Sequence, residues 1–140
     1  MHETAKVLMR DVISVPPDTT VSKAAQIMKK ANIGSVFVGE KTQPDGIFTE
    51  RDLARKVVAE GLDPVTTTVG AVMTRKLVTV EASQPLASVF QCLAKGQFRH
   101  LPITEGGKVV GIVSLTDLAK VLGELASDDK YLQSFADEIK

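Results

Sequence analysis

Asp52 follows the hydroxyl residue Thr49 by three positions, and Asp117 follows Ser114 in the same way. The runs that contain them, Gly46-Ile47-Phe48-Thr49-Glu50-Arg51-Asp52-Leu53-Ala54 and Gly111-Ile112-Val113-Ser114-Leu115-Thr116-Asp117-Leu118-Ala119, are near copies 65 residues apart. A carboxylate has two acceptor oxygens and can take both donors of a neighbouring pair of sugar hydroxyls at charge-assisted strength. A hydroxyl where a strand turns into a helix lies beside backbone N–H groups that the helix leaves unpaired, so it can hold an alcohol or an anion. Thr116 adds a hydroxyl in the second copy, where the first has Arg51. The same spacing is also that of a capping box, with Asp in place of the usual Glu or Gln, and a cap needs no ligand. On residue types alone the cap is the simpler reading.

Arg99 and His100 are the next residues with chemistry to offer, since a guanidinium beside an imidazole can grip phosphate oxygens. They are equally readable as an exposed pair before the strand Leu101-Pro102-Ile103. The same positions of the first copy hold Gly34 and Ser35. A phosphate-bearing ligand should therefore prefer a pocket floored by Asp117, the Asp52 pocket having only Arg51 as an obvious local cation. Catalytic patterns are missing. Cys92 falls beside an apolar helical stripe and reads as a small hydrophobe, and His2 and His100 form no metal-ligand pair. No glycine-rich phosphate loop ending in Lys-Ser or Lys-Thr occurs. These patterns point to a binding protein with no catalytic cofactor and no metal, and away from an enzyme.

The elements that must position these residues also come twice. The 65-residue shift lays Val21, Ala24, Ala25 and Met28 on Leu86, Val89, Phe90 and Leu93, so the repeat extends well upstream of the motif. Val12, Ile13 and Val15 predict a short strand stopped by Pro16-Pro17-Asp18. Thr19 or Thr20 can cap a helix that ends near Asn32-Ile33-Gly34. Strands follow at Ser35 to Val38 and Gly46 to Thr49, around a loop from Lys41 to Asp45, and Leu53, Ala54, Val57 and Val58 mark a helix ending at Gly61. Leu62 to Thr68, with Pro64 and three threonines, reads as a linker. The order then returns: a strand at Leu77 to Val80, a helix from Pro85 to Gly96, strands at His100 to Thr104 and Val109 to Val113, and a helix from about Leu115. Strand, helix, strand, strand, helix, twice over, predicts an α+β fold of two βαββα repeats about a pseudo-two-fold axis, small sheets facing each other with helices outside. The expected boundaries are 7–61 for the first repeat, 62–68 for the linker, 69–126 for the second repeat and 127–140 for an amphipathic C-terminal helix. In that tail Leu132, Phe135, Ala136 and Ile139 share one face, suited to packing on the domain itself or to pairing two chains.

Composition excludes several classes of function. Seventeen basic residues balance seventeen acidic ones in 140, and no Lys/Arg run is interleaved with aromatics, so nucleic acid is not an expected partner. With 44% hydrophobic residues and a mean hydropathy of +0.08, the chain can fill an ordinary core. Its longest apolar run, Val109 to Leu115, is far short of a membrane span. One cysteine and an N-terminus without a basic-then-apolar segment lead to the expectation of a cytoplasmic protein.

Three features together resemble a tandem pair of cystathionine-β-synthase (CBS) domains, a Bateman module: Val69 to Thr74 (VGAVMT), the repeated glycine-apolar-variable-Thr/Ser-variable-variable-Asp pattern, and Phe98-Arg99-His100-Leu101-Pro102-Ile103. The resemblance covers roughly Val7 to Leu122. It implies a cleft between the repeats that binds an adenosine-containing ligand, AMP, ADP or ATP, as a regulatory effector, and chains that pair into a flat homodimeric disc. In the main pocket it places Ile13, Ile33, Gly34, Arg99, His100, Ile112, Ser114, Thr116 and Asp117, with the ribose on Asp117. In a second pocket it places Leu77, Val78, Phe98, Ile47, Thr49, Arg51 and Asp52. Periodicity alone makes the apolar members core residues. No tryptophan is present to stack on adenine, so base affinity would come from apolar sandwiching and backbone hydrogen bonds. The expected function is a non-catalytic sensor with an effector protein that the sequence does not name. The alternatives are a structural pairing module with unoccupied pockets, or a binder of S-adenosylmethionine or NAD.

Overall fold

The computed structural model describes residues 4–96 and 99–128. Phe98 and the tail residues Leu132, Phe135, Ala136 and Ile139 lie outside the described residues. The first repeat runs β1 (Ser14–Val15), α1 (Val21–Ala31), β2 (Ser35–Gly39), β3 (Pro44–Thr49) and α2 (Glu50–Asp52), which continues as a wider π-helical turn over Leu53–Val58. The second runs α3 (Val69–Val72), β4 (Val80–Glu81), α4 (Leu86–Gly96), β5 (His100–Glu105), β6 (Lys108–Ser114) and α5 (Leu115–Asp128). Each repeat builds one three-stranded sheet, ordered β1-β2-β3 and β4-β5-β6. In both, the first pair is parallel and the second antiparallel.

Strand alternation sorts the side chains into three apolar clusters. Val36, Val38 and Phe48 point from the first sheet toward α1 and join Val21, Ala24 and Met28. Leu101, Ile103 and Val113 do the same in the second sheet with Val89 and Leu93 of α4. Residues on the opposite faces, Phe37 and Ile47 from one sheet and Val109 and Ile112 from the other, meet with Val12 in a third cluster. That cluster is the seam between the repeats, and it explains why neither half would be stable alone: half of each sheet's apolar surface is covered by the other.

Two crossing segments complete the exchange. Ala5 and Leu8, ahead of β1, are buried in the second core, and Arg10 trades both backbone hydrogen bonds with Ile112 of β6. Val69, Val72 and Met73, ahead of β4, are buried in the first core, and Thr74 trades both bonds with Ile47 of β3. This is why the two leading strands are shorter than expected, at two residues each. Val12 and Leu77 still belong to the crossing segments and face the seam, so only the end of each run can ladder with its own sheet. The motif glycines are required by the same crossing. A Cβ on Gly46 would lie 2.6 Å from the Thr74 carbonyl oxygen, and one on Gly111 would lie 2.9 Å from that of Arg10.

The connection 62–68 is strapped down rather than loose. Its Thr67 and Pro64 carbonyls accept from Val21 and Ser22 N–H at the start of α1, and Thr20 Oγ1 accepts from Lys23 N–H. The helix donors that would otherwise be orphaned are thus satisfied. At the other end Asn32 adopts the left-handed conformation, φ 55°, and closes α1 where the sequence placed its end.

Gly46→Ala is expected to cost about 1–3 kcal/mol in urea unfolding, because a backbone carbonyl must move to admit the methyl group. Gly123→Ala, on the exposed side of α5 with nothing within 4 Å of its Cβ, should instead be neutral or stabilise by up to about 1 kcal/mol.

Candidate functional site

Two cavities open along the seam, of about 600 Å³ and about 550 Å³, both of a size that holds a small molecule. Asp52 stands in the larger and Asp117 in the smaller. Glu50, Arg99 and His100 border both.

Each aspartate is a cap. Asp52 Oδ2 accepts from Thr49 N–H at 2.9 Å while Thr49 Oγ1 accepts from Asp52 N–H at 3.1 Å. Asp117 Oδ2 accepts from Ser114 N–H and Ser114 Oγ accepts from Asp117 N–H, both at 3.1 Å. The capping box read from the spacing is therefore present twice, and it uses one carboxylate oxygen each time.

The second oxygen separates the two sites. Asp52 Oδ1 accepts from Thr74 Oγ1 at 3.0 Å and pairs with Lys56 Nζ at 2.9 Å, while Oδ2 takes a further bond from the Thr49 hydroxyl at 3.1 Å. Lys56 Nζ also donates to Val72 O and Thr74 Oγ1, which spends all three of its protons. The Asp52 carboxylate, 6% exposed, is thus saturated by protein donors alone. Asp117 carries its cation on the oxygen already used for capping: Arg10 Nε lies 3.0 Å from Oδ2, as an ion pair not in line for a hydrogen bond. Among the described residues nothing donates to Asp117 Oδ1. Arg10 and Thr74 hold equivalent places, each on the crossing segment that bridges to the motif of the opposite repeat.

The smaller cavity brings together Ile33, Gly34, Arg99, His100, Ser114, Thr116 and Asp117, with Arg10, Lys29 and Lys120 around them. The larger brings together Ile47, Thr49, Arg51, Asp52, Leu77 and Val78. Ile13 and Ile112, expected in the main pocket, line neither. Ile112 is buried in the seam, and Ile13 is 38% exposed with its carbonyl taken by Phe37 N–H.

One expectation about charge needs correction. The Asp52 cavity does not depend on Arg51 alone, since Arg55, Lys56, Lys76 and Arg99 also line it. Arg55 and Lys56 follow the motif on the same helix and Lys76 arrives on the crossing segment, which the spacing of the motif did not reach. His100, on the wall shared by the two cavities, is half-buried. Burial pushes its pKa below the ordinary 6.5, Glu50 and Asp117 oppose the shift, and Arg10 and Arg99 reinforce it. Its imidazole packs toward Gly34, where a Cβ would meet Nε2 at 3.0 Å.

Because the folded-state pKa of His100 lies below its unfolded value, the unfolded chain takes up the proton first. The stability that rests on a neutral His100 is then present above 6.5 and lost as pH falls through the window beneath it. His100→Gln should flatten the fall in unfolding free energy between about pH 7.5 and about 5.5, and an unchanged slope would contradict this. Lys56→Met, which strips the buried Asp52 carboxylate of its cation, is expected to destabilise by roughly 1–3 kcal/mol in urea melts.

Comparison with known proteins agrees with this architecture. The CBS domain family model matches the chain twice, over residues 5–59 and 69–124. The CBS domain-containing protein YhcV of Bacillus subtilis is 36% identical over 119 residues, covering 85% of this chain and 84% of that one. Hypoxic response protein 1 of Mycobacterium tuberculosis is 32% identical over 125 residues, covering 88% and 87%. A conserved protein of Pyrococcus horikoshii, known from its crystal structure, matches with a TM-score of 0.80 at 33% identity, over 86% of this chain and 92% of that one. With two repeats of the same order, a motif aspartate at each strand-to-helix junction and both family matches in register, the chain belongs to the CBS domain family as a tandem pair.

Proposed function

We propose that this CBS-domain pair is a regulatory sensor that takes an adenine nucleotide, AMP, ADP or ATP, in the Asp117 cavity. The observation that carries the reading is the uncommitted Oδ1 of Asp117. The cap and Arg10 occupy Oδ2 only, so a ribose can use the other oxygen without dismantling the helix start. Thr116 supplies a neighbouring hydroxyl, and Arg99, Lys120 and Lys29 supply positive charge for phosphate. Ile33 gives the base an apolar edge from the first repeat, beside Gly34. A ligand held this way touches both repeats and the crossing segment through Arg10. It therefore binds one relative arrangement of the repeats better than others, which is what a sensor requires. Exposed Leu115 and Leu122 on α5 give a second copy an apolar surface to pair with. The pairing-module alternative has its own support at Asp52, where a complete network forms with no ligand.

Calorimetric titration with AMP, ADP, ATP, NAD, S-adenosylmethionine and GTP tests the reading. An adenine nucleotide is expected to bind, and Asp117→Asn to weaken it by roughly tenfold or more. Asparagine keeps an acceptor for Ser114 N–H but removes the counter-charge of Arg10, so a lower melting temperature with the fold retained is expected beside the lost affinity. Equal affinity in Asp117→Asn, or no adenine compound binding at millimolar concentration, overturns the assignment.

A further inference from the structure

We propose that the Asp52 cavity is a polyphosphate site that takes no ribose. Both oxygens of Asp52 are spent on Thr49, Thr74 and Lys56, and the hydroxyls of Thr49 and Thr74 are spent in the same network. The groups that would read a sugar are therefore closed. Lys56 and Asp52 also cancel each other's charge. Arg55, Lys76 and Arg99 remain on the wall, and none forms an ion pair with a described residue. They reach one concave surface from three separate elements: the π-helical turn, the crossing segment before β4, and the residue before β5. Glu50 is the one acidic residue left to oppose them there.

Solvated cations normally spread over a convex surface. Here they converge over apolar Ile47, Leu77, Val78 and Pro102, where low-dielectric walls concentrate the field. Two guanidinium forks and an ammonium suit a ligand with many oxygens and several negative charges, which a phosphate chain supplies and a simple carboxylate does not. The chain could come from free polyphosphate or from the tail of a nucleotide seated at Asp117 and passing the shared wall of Arg99 and His100. The second source rests on the nucleotide reading above; the site itself does not.

The probes are inorganic triphosphate, ATP and AMP, titrated by calorimetry into the full chain and into the double variant Arg55→Ala/Lys76→Ala, both of whose positions are exposed. Triphosphate is expected to bind the natural chain, to lose roughly tenfold or more in the double variant and to keep its affinity in Asp117→Asn, while AMP is unaffected by the double variant. If ATP weakens with triphosphate and displaces it, the tail is the source. If ATP is unaffected and triphosphate binds beside it, the free anion is the source. Absence of triphosphate binding at millimolar concentration, unchanged triphosphate affinity in the double variant, or its loss in Asp117→Asn overturns the proposal. Failure of AMP to bind would strike the nucleotide reading while leaving the triphosphate result to decide this one.

Discussion

The structure depends on a reciprocal backbone crossing. Arg10 bridges to Ile112 and Thr74 to Ile47, each with a pair of hydrogen bonds, and each crossing strand passes so close that the motif position beneath it has no room for a side chain. Everything at the seam follows from that approach. It shortens the leading strands, buries the inner face of each sheet against the other, and carries a residue of one repeat onto the motif aspartate of the other. The glycine and the aspartate of the motif thus answer to one event: the glycine admits the foreign strand and the aspartate receives what that strand brings.

What arrives differs, and the difference is compensated locally. The second repeat's crossing strand brings Thr74, a neutral donor, to Asp52, and the positive charge comes from Lys56 one turn along the same helix. The first repeat's strand brings Arg10, already charged, to Asp117, and the place equivalent to Lys56 in the sequence is Val121. Each buried or half-buried carboxylate has one cation, as the cost of desolvating a lone charge demands. The supply from opposite directions leaves unequal remainders. Lys56 and Thr74 close Oδ1 of Asp52 while Thr49 holds Oδ2, whereas Arg10 reaches only the capping oxygen of Asp117. Two copies of one motif have become two sites with different chemistry.

Much of this was legible in the sequence. The 65-residue repeat, the helical stripes, the capping spacing and the hairpin pairs all rest on local periodicity, and β2, β3, β5 and β6 lie where alternation put them. The crossing was not legible, because Met9-Arg10 and Met73-Thr74 match at a shift of 64 residues while the motifs match at 65, so the equivalence of Arg10 and Thr74 is out of register with the repeat. Lys56 could have been found from its four-residue step after Asp52, a spacing that brings two side chains together on a helix. The fates of Ile13 and Ile112 could not, since β-branched residues on a strand fit a seam and a ligand wall equally well. Nor could the lowered pKa of His100, which comes from burial that its neighbours in sequence do not reveal.

Capping and ligand binding are usually set against each other as explanations for a motif of this kind, and the two aspartates show why that opposition is false. A cap consumes one oxygen lone pair directed at the helix start, and a carboxylate has roughly four such positions. Whether a carboxylate oxygen stays open is decided by the rest of the coordination, residue by residue: the hydroxyl of Thr49 donates to its own aspartate where, among the described residues, that of Ser114 only accepts, and Thr74 and Lys56 complete the closure at Asp52. The motif therefore guarantees the helix start in both repeats and leaves the binding capacity of each to the crossing strand and to the residue one turn further on. A change at position 56 or 74 would alter the donors and charge that the first cavity presents without touching the motif, so the motif fixes the helix start and these flanking positions set the chemistry of the cavity wall.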